Sequence, residues 1–187
     1  KAHDEVLDLA REAGLNCVSY IIAGAPGQRP ESSVQDLLFL AGKRTLAGLS
    51  IFYPAPGSAD FALCKDQNLL PTHFSLMRST ALPLDQTTTR VQSITLLRLA
   101  RILNYMKSRM DSGKGLPVPN FCQGPPKFSP PFDRETVSQA LLGYFLATGA
   151  IFGVDRDGTL YEHFIDRSLS RIFLDGLTKI PVKGPKN

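Results

Sequence analysis

The residues that could do chemistry lie in two glycine- and proline-rich stretches, "AGAPGQRPES" (Ala23 to Ser32) and "YPAPGS" (Tyr53 to Ser58). Each follows an apolar run and lacks bulky side chains. Glycine lets a ligand approach the backbone closely and permits turns closed to other residues. Proline fixes the turn and removes a competing N–H. A helix that follows such a turn aims unpaired N–H donors at the same mouth. The pair reads as part of a small-molecule site, and the competing reading is two tight strand-to-helix turns with no ligand. The first stretch is not a Walker phosphate loop, since no Lys-Ser/Thr follows its last glycine. Two other functional readings stand beside an enzyme. One is a non-catalytic α/β module that binds a nucleotide or phosphate. The other is a scaffold whose C-terminal helices bind a partner.

Metal and thiol chemistry has little to start from. Cys17, Cys64 and Cys122 are far apart and form no CxxC or CxxxCxxC cluster, so no local zinc or iron–sulfur signature exists. An odd count without a framework fits a reducing, cytoplasmic compartment. Cys17 lies in an apolar run and reads as a small core residue. Cys64 falls on the inner side of a short helix, and Cys122 in a loop where it is exposed. His3, His73 and His163 are isolated, with no metal-ligand spacing, and read as structural or exposed.

The elements that must position the two turns follow from periodicity. Ala2–Ala13 has a helical apolar period closed by Gly14. "LNCVSYIIA", Leu15 to Ala23, is nearly continuous in hydrophobicity and reads as a strand buried on both faces. Glu31–Leu46 reads as a helix capped by Ser32 or Ser33, and Gly48–Tyr53 as a second buried strand. Helix, strand, helix, strand with short connections predicts a parallel sheet with right-handed crossovers. A short helix is expected over Ala59–Gln67 and irregular chain over Leu69–Thr87. A long helix is expected over Thr89–Asp111, with Arg90, Arg98, Arg101, Lys107 and Arg109 as its solvated face. Ser112–Asp133 is a Pro/Gly-rich wrapping loop. A helix follows over Arg134–Thr148, then a hairpin turning at Asp157-Gly158 and a last helix over Ile165–Leu174.

Composition agrees with such a domain. The chain has 187 residues, 43% hydrophobic and 20% charged, with a formal net charge of +4. Its basic residues are scattered, so a nucleic-acid footprint is not indicated, and no run is long enough to span a bilayer. No signal peptide opens the chain, and its first residue, Lys1, already lies in a helical pattern; we expect a piece of a longer protein.

The stretch "YIIAGAPGQRPES…DLLFLAGKRTLAGLSIFYPAPGSADF" resembles the second half of the barrel of radical S-adenosylmethionine enzymes. In that superfamily a strand ends in G-x-P-G-[EQ], a helix of about four turns follows, and the next strand ends in P-x-P-G-T. The matching positions are Gly24, Pro26, Gly27, Gln28, Glu31 and Ser32, then Pro54, Pro56, Gly57 and Ser58. The entry "AREAGLN" also matches, and "LLRLARILNYMK" is more loosely similar to a helix that follows the barrel in methylthiotransferase-like and cobalamin-dependent members. The CxxxCxxC loop and the first barrel strands are absent; position 28 is Gln where many members have Glu, and position 29 is Arg instead of Thr.

The resemblance implies an α/β fold: a partial (β/α) barrel over residues 1–68, a connecting segment and long helix over 69–112, and a mainly helical extension with a small hairpin over 113–187. It implies S-adenosylmethionine as cofactor, contacted by Gly24, Pro26, Gly27, Gln28, Ser50, Ile51 and Phe52, with Gln28 bonding a ribose hydroxyl and the strand around Ile51 lying on the adenine. Tyr53 would face substrate or plug the barrel rim. A 4Fe-4S cluster would sit on ligands upstream of Lys1, with cobalamin a further cofactor of some members. The partners implied are the remaining half of the barrel and a substrate that the resemblance does not specify.

Overall fold

A computed structural model describes residues 2–73, 87–119 and 124–186. Cys122, much of the Leu69–Thr87 segment and part of the wrapping loop lie outside the described residues. The chain is a mixed α/β structure, mostly helical, with six helices and two small sheets among the described residues. The order opens as expected: α1 (Ala2–Glu12), β1 (Val18–Ala23), α2 (Pro30–Ala41), β2 (Leu46–Ile51) and α3 (Ala59–Asp66). Then come α4 (Arg90–Asp111), α5 (Arg134–Thr148), the strands β3 (Phe152–Val154) and β4 (Leu160–Glu162), and α6 (Arg167–Leu177).

Local chemistry sets the boundaries. α1 ends at Gly14, whose φ of 71° lets the Leu15 N–H reach back to the Ala10 carbonyl at 2.8 Å. α2 starts one residue earlier than the sequence pattern indicates, because Pro30 occupies its first turn after Arg29; a proline there loses no helical hydrogen bond. Neither Ser32 nor Ser33 is the cap, and Ser33 is buried inside the helix. Leu46, expected at the end of α2, opens β2 instead. Thr89 caps α4 in a reciprocal capping box with Gln92. Asp133 and Asp166 cap α5 and α6. α6 begins two residues later than its apolar period and runs on through Gly176. That glycine is a contact point between helices and not a stop: a Cβ there would lie 2.2 Å from a Leu38 methyl on α2.

β1 and β2 are parallel neighbours, in register from Val18 opposite Leu46 to Ala23 opposite Ile51. The Leu46 N–H bonds the Cys17 carbonyl and the Phe52 N–H the Ala23 carbonyl, so Ala47 faces the outer edge of β2. There the Asn104 side chain of α4 accepts from the Ala47 N–H and donates to its carbonyl, both at 2.8 Å. One amide side chain thus does for this edge what a third strand would do. The other edge, along β1, pairs with no strand among the described residues.

The expectation of two-sided burial is corrected here. Ile21, Ala23 and Ala47 are buried, but Val18, Tyr20 and Ile22 are 47%, 76% and 57% exposed. The two sets alternate along the strand, as side chains on opposite faces must. A continuous apolar run predicts cover on both faces, and the described residues cover only one. On the open face the Tyr20 ring lies against Gly48, where an added Cβ would stand 2.9 Å from the ring carbons. α1 shares the pattern: Leu7 is buried, while Val6 and Leu9 are more than half exposed.

Behind the covered face, one apolar core joins α2 (Val34, Leu37), α4 (Leu96, Leu99, Leu103), α5 (Phe145) and α6 (Leu169, Phe173). Each such fully buried side chain contributes roughly 1.5–3 kcal/mol. Residues from all three segments delimited in the sequence enter it. The predicted solvated stripe of α4 fails at two positions. Lys107 is fully buried and Arg109 is 5% exposed. Lys107 Nζ donates to the carbonyls of Lys43 (2.7 Å), Lys183 (2.8 Å) and Ala41 (3.3 Å). Arg109 binds the Gly115 carbonyl and Glu135. Both cations serve carbonyls or carboxylates brought from distant segments, which the period of α4 alone does not reveal.

The hairpin forms as expected around Gly158, although the Asp155 side chain organises its loop by accepting from the Asp157 and Thr159 N–H groups. No helix of the described residues is long and apolar enough to cross a membrane.

Candidate functional site

Both strands end in the same four-residue device. Ala25-Pro26-Gly27-Gln28 closes with a Gln28 N–H to Ala25 carbonyl bond at 2.9 Å, and Ala55-Pro56-Gly57-Ser58 with the equivalent bond at 3.0 Å. Gly27 has φ 74° and Gly57 φ 86°. Proline second and a positive-φ glycine third is the pattern of a type II turn. A helix follows each: α2 from Pro30 and α3 from Ala59. Because the strands are parallel and adjacent, the two turns stand at the same end of the sheet.

The turns differ in what surrounds them. A Cβ on Gly27 or Gly57 would meet nothing among the described residues within 4 Å, whereas one on Gly24 would lie 3.8 Å from Ser93 Oγ and 3.9 Å from Thr88 Cγ2. The side of the backbone toward which a Gly24 side chain would point is thus filled by the start of α4. The hydroxyls of Thr87 and Thr88 donate to the Gln28 carbonyl at 3.0 Å each. Gln28 turns its own Oε1 back to accept the Ala25 N–H at 3.2 Å, tightening the turn. Ser58 performs a parallel service: Oγ donates to the Ala55 carbonyl and accepts from the Phe61 N–H, capping α3.

The residues expected along β2 separate. Ser50 is exposed on the open face beside Ile22, its register partner. Ile51 packs against the main core. Phe52 packs with Phe61, Leu69 and Leu70 around Cys64 under α3. Tyr53 is 39% exposed and Pro54 is buried. The structure therefore brings Gly27, Gly57, Ser50 and Tyr53 to accessible positions, and gives Ile51 and Phe52 packing roles. Thr87, Thr88 and Ser93 had not been singled out. The sequence carried the capping box of α4, but not the site 60 residues away that its first residues touch.

Cys64 is fully buried, and burial pushes its thiol up; such a thiol is inert. Cys17 is half-buried just ahead of β1 rather than in the core. His3 bonds Ser19 at 3.1 Å. His163 is half-buried against Tyr161, and burial, with Arg98 nearby, holds its imidazole below the usual histidine value. Among the described residues, no three His, Cys, Asp or Glu side chains are grouped to hold a metal ion.

Comparison of the chain with known protein families, with curated proteins and with solved structures finds no match.

Proposed function

We propose that this chain is the second half of a radical S-adenosylmethionine barrel with a helical extension, and that its two type II turns form one wall of the cofactor site. The observation that carries the reading is the pairing of those turns. They end two parallel, adjacent strands, at the end where ligands of (β/α) folds collect. A second observation supports it. In a barrel, helices cover the outside of the sheet and the other face lines the interior. Here α2 covers one face, while among the described residues Val18, Tyr20, Ile22 and Ser50 lie bare on the other and β1 has an unpaired edge. Further βα units would pair with that edge and cover the exposed apolar residues of β1 and α1.

In this reading Gly27 and Gly57 leave room for the cofactor to approach the backbone, and Ser50 offers a hydroxyl from the sheet. Gln28 acts by holding its turn, and Thr87 and Thr88, just ahead of α4, brace that turn. Ile51 and Phe52 fix the end of β2 from behind. S-adenosylmethionine, when bound, would take one electron from the cluster held by the other half of the barrel, release methionine and supply a 5′-deoxyadenosyl radical for hydrogen abstraction, or would supply a methyl group where the reaction is methyl or methylthio transfer. The described residues do not fit an iron–sulfur cluster, and no step is assigned to their cysteines.

The test is the coding sequence upstream of Lys1. The proposal expects further strands and a CxxxCxxC loop in frame. It also expects the longer product, reconstituted anaerobically with iron and sulfide and then reduced, to form 5′-deoxyadenosine. An in-frame stop without such a loop, or a longer product that binds no S-adenosylmethionine, overturns it.

A further inference from the structure

A concavity lies away from the glycine turns, between the C-terminal end of α5, α6 and the tail after it. Its volume is about 920 Å³, near the top of the range of roughly 300–1,000 Å³ typical of small-molecule sites. Met106, Leu116, Leu146, Leu174 and Ile180 form its walls. No aromatic side chain lines it among the described residues, so nothing there would stack on a planar ring. Flexible aliphatic walls suit a flexible aliphatic ligand.

The charged groups of the cleft are Arg167, Arg171 and Asp175. Arg167 is held by Glu162. Arg171 is exposed and makes no ion pair among the described residues, although Asp175 is one turn further along α6. The hydroxyl of Thr148 is occupied by the Tyr144 carbonyl and the Ala150 N–H, and that of Thr178 by the Asp175 carbonyl. The Ser168 hydroxyl donates to Asp166, so the polar side chains left to orient a ligand are the Arg171 guanidinium and the Asp175 carboxylate, and of the two the guanidinium is the donor suited to a carboxylate.

We propose that this cleft binds a free, single-chain amphiphilic acid, with its alkyl chain along the aliphatic walls and its carboxylate on Arg171. The site is independent of the reading given to the glycine turns. The experiment is calorimetric titration of the 187-residue chain with decanoic, dodecanoic and tetradecanoic acids below their micelle concentrations, with decanol as the uncharged probe. Affinity for the acids should rise by up to about fourfold per added methylene. Arg171→Glu should weaken the acids at least about tenfold and leave decanol unchanged. Ala147→Trp, which places an indole in the cleft, should abolish binding of both probes at unchanged melting temperature. No acid binding, or affinity that does not depend on chain length, overturns the proposal. So does an Arg171→Glu chain that binds acids as the parent does. The chain-length series needs no variant, so the test survives if Ala147→Trp fails to fold.

Discussion

Lys107→Met tests whether the buried ammonium holds the structure together or is merely tolerated. Its three acceptors come from two places: the end of α2 (Ala41 and Lys43) and the C-terminal tail (Lys183). The Ala41 carbonyl also accepts the Lys183 N–H at 2.9 Å and keeps that donor in the variant. The Lys43 and Lys183 carbonyls lose theirs. An orphaned buried carbonyl costs about 1–3 kcal/mol, so two of them cost about 2–6 kcal/mol, while methionine fills the space of the lysine stem. For a chain of this size that is a fall in melting temperature of roughly 4–24 °C. The assay is urea unfolding at pH 7, where the ammonium is charged.

A second arm uses pH. Burial pushes Lys107 down from 10.5 to about 8, with Asp111 opposing. Between these values the unfolded chain keeps a proton that the folded chain releases, so stability rises with pH across the window, by at most about 1.4 kcal/mol per unit. The parent should show this slope between pH 8 and 10.5, and the methionine variant should lack it. A variant within about 0.5 kcal/mol of the parent at pH 7 and with an unchanged pH profile would refute the reasoning, since it would mean the carbonyls find other donors.

Asn104→Ala should cost about 2–4 kcal/mol by unpairing the N–H and carbonyl of buried Ala47 at the outer edge of β2, read by chemical unfolding and by faster exchange of the Ala47 amide. Gly176→Leu should destabilise by about 1–3 kcal/mol through overpacking against Leu38, seen as a lower melting temperature. Asp166→Ala should cost about 0.5–2 kcal/mol, as loss of a helix cap does. Burial pushes that carboxyl up, but hydrogen bonds from Ser168, Gln92 and the Leu169 N–H outweigh it and hold the carboxyl below 3.8. Its contribution is therefore present above about pH 4 and lost as pH falls through the lowered value, so parent and variant should converge in stability in strong acid. In the longer protein, Gly27→Val should weaken S-adenosylmethionine binding, because a branched side chain would enter the open space beside the turn and resist positive φ. Unchanged affinity at unchanged melting temperature would return the turn to a purely structural role.

Features that depend on neighbours along the chain were readable from the residues alone. The parallel β1–β2 pair was legible from two apolar runs flanking one helix. The turns were legible as Ala-Pro-Gly, α5 from its period, and the hairpin from Asp157-Gly158. Each is local: a proline fixes φ, a glycine permits positive φ, and a periodic apolar stripe fixes a helix face. What faces each element was set by packing between distant segments. The run Val18–Ala23 has the same hydrophobicity whether one face is covered or two, so the bare side of Tyr20 could not be read from it. The helical period places Lys107 on the stripe expected to face solvent, yet it ends up buried, because its partners come from the end of α2 and from the C-terminal tail, 64 and 76 residues away. The motif places Ile51 and Phe52 at the cofactor, and what it does not show is their packing: both are half-buried, Ile51 against the main core and Phe52 with Phe61, Leu69 and Leu70. Local conformation follows from local sterics, whereas burial depends on which distant segments pack against a residue, and periodicity carries no information about those.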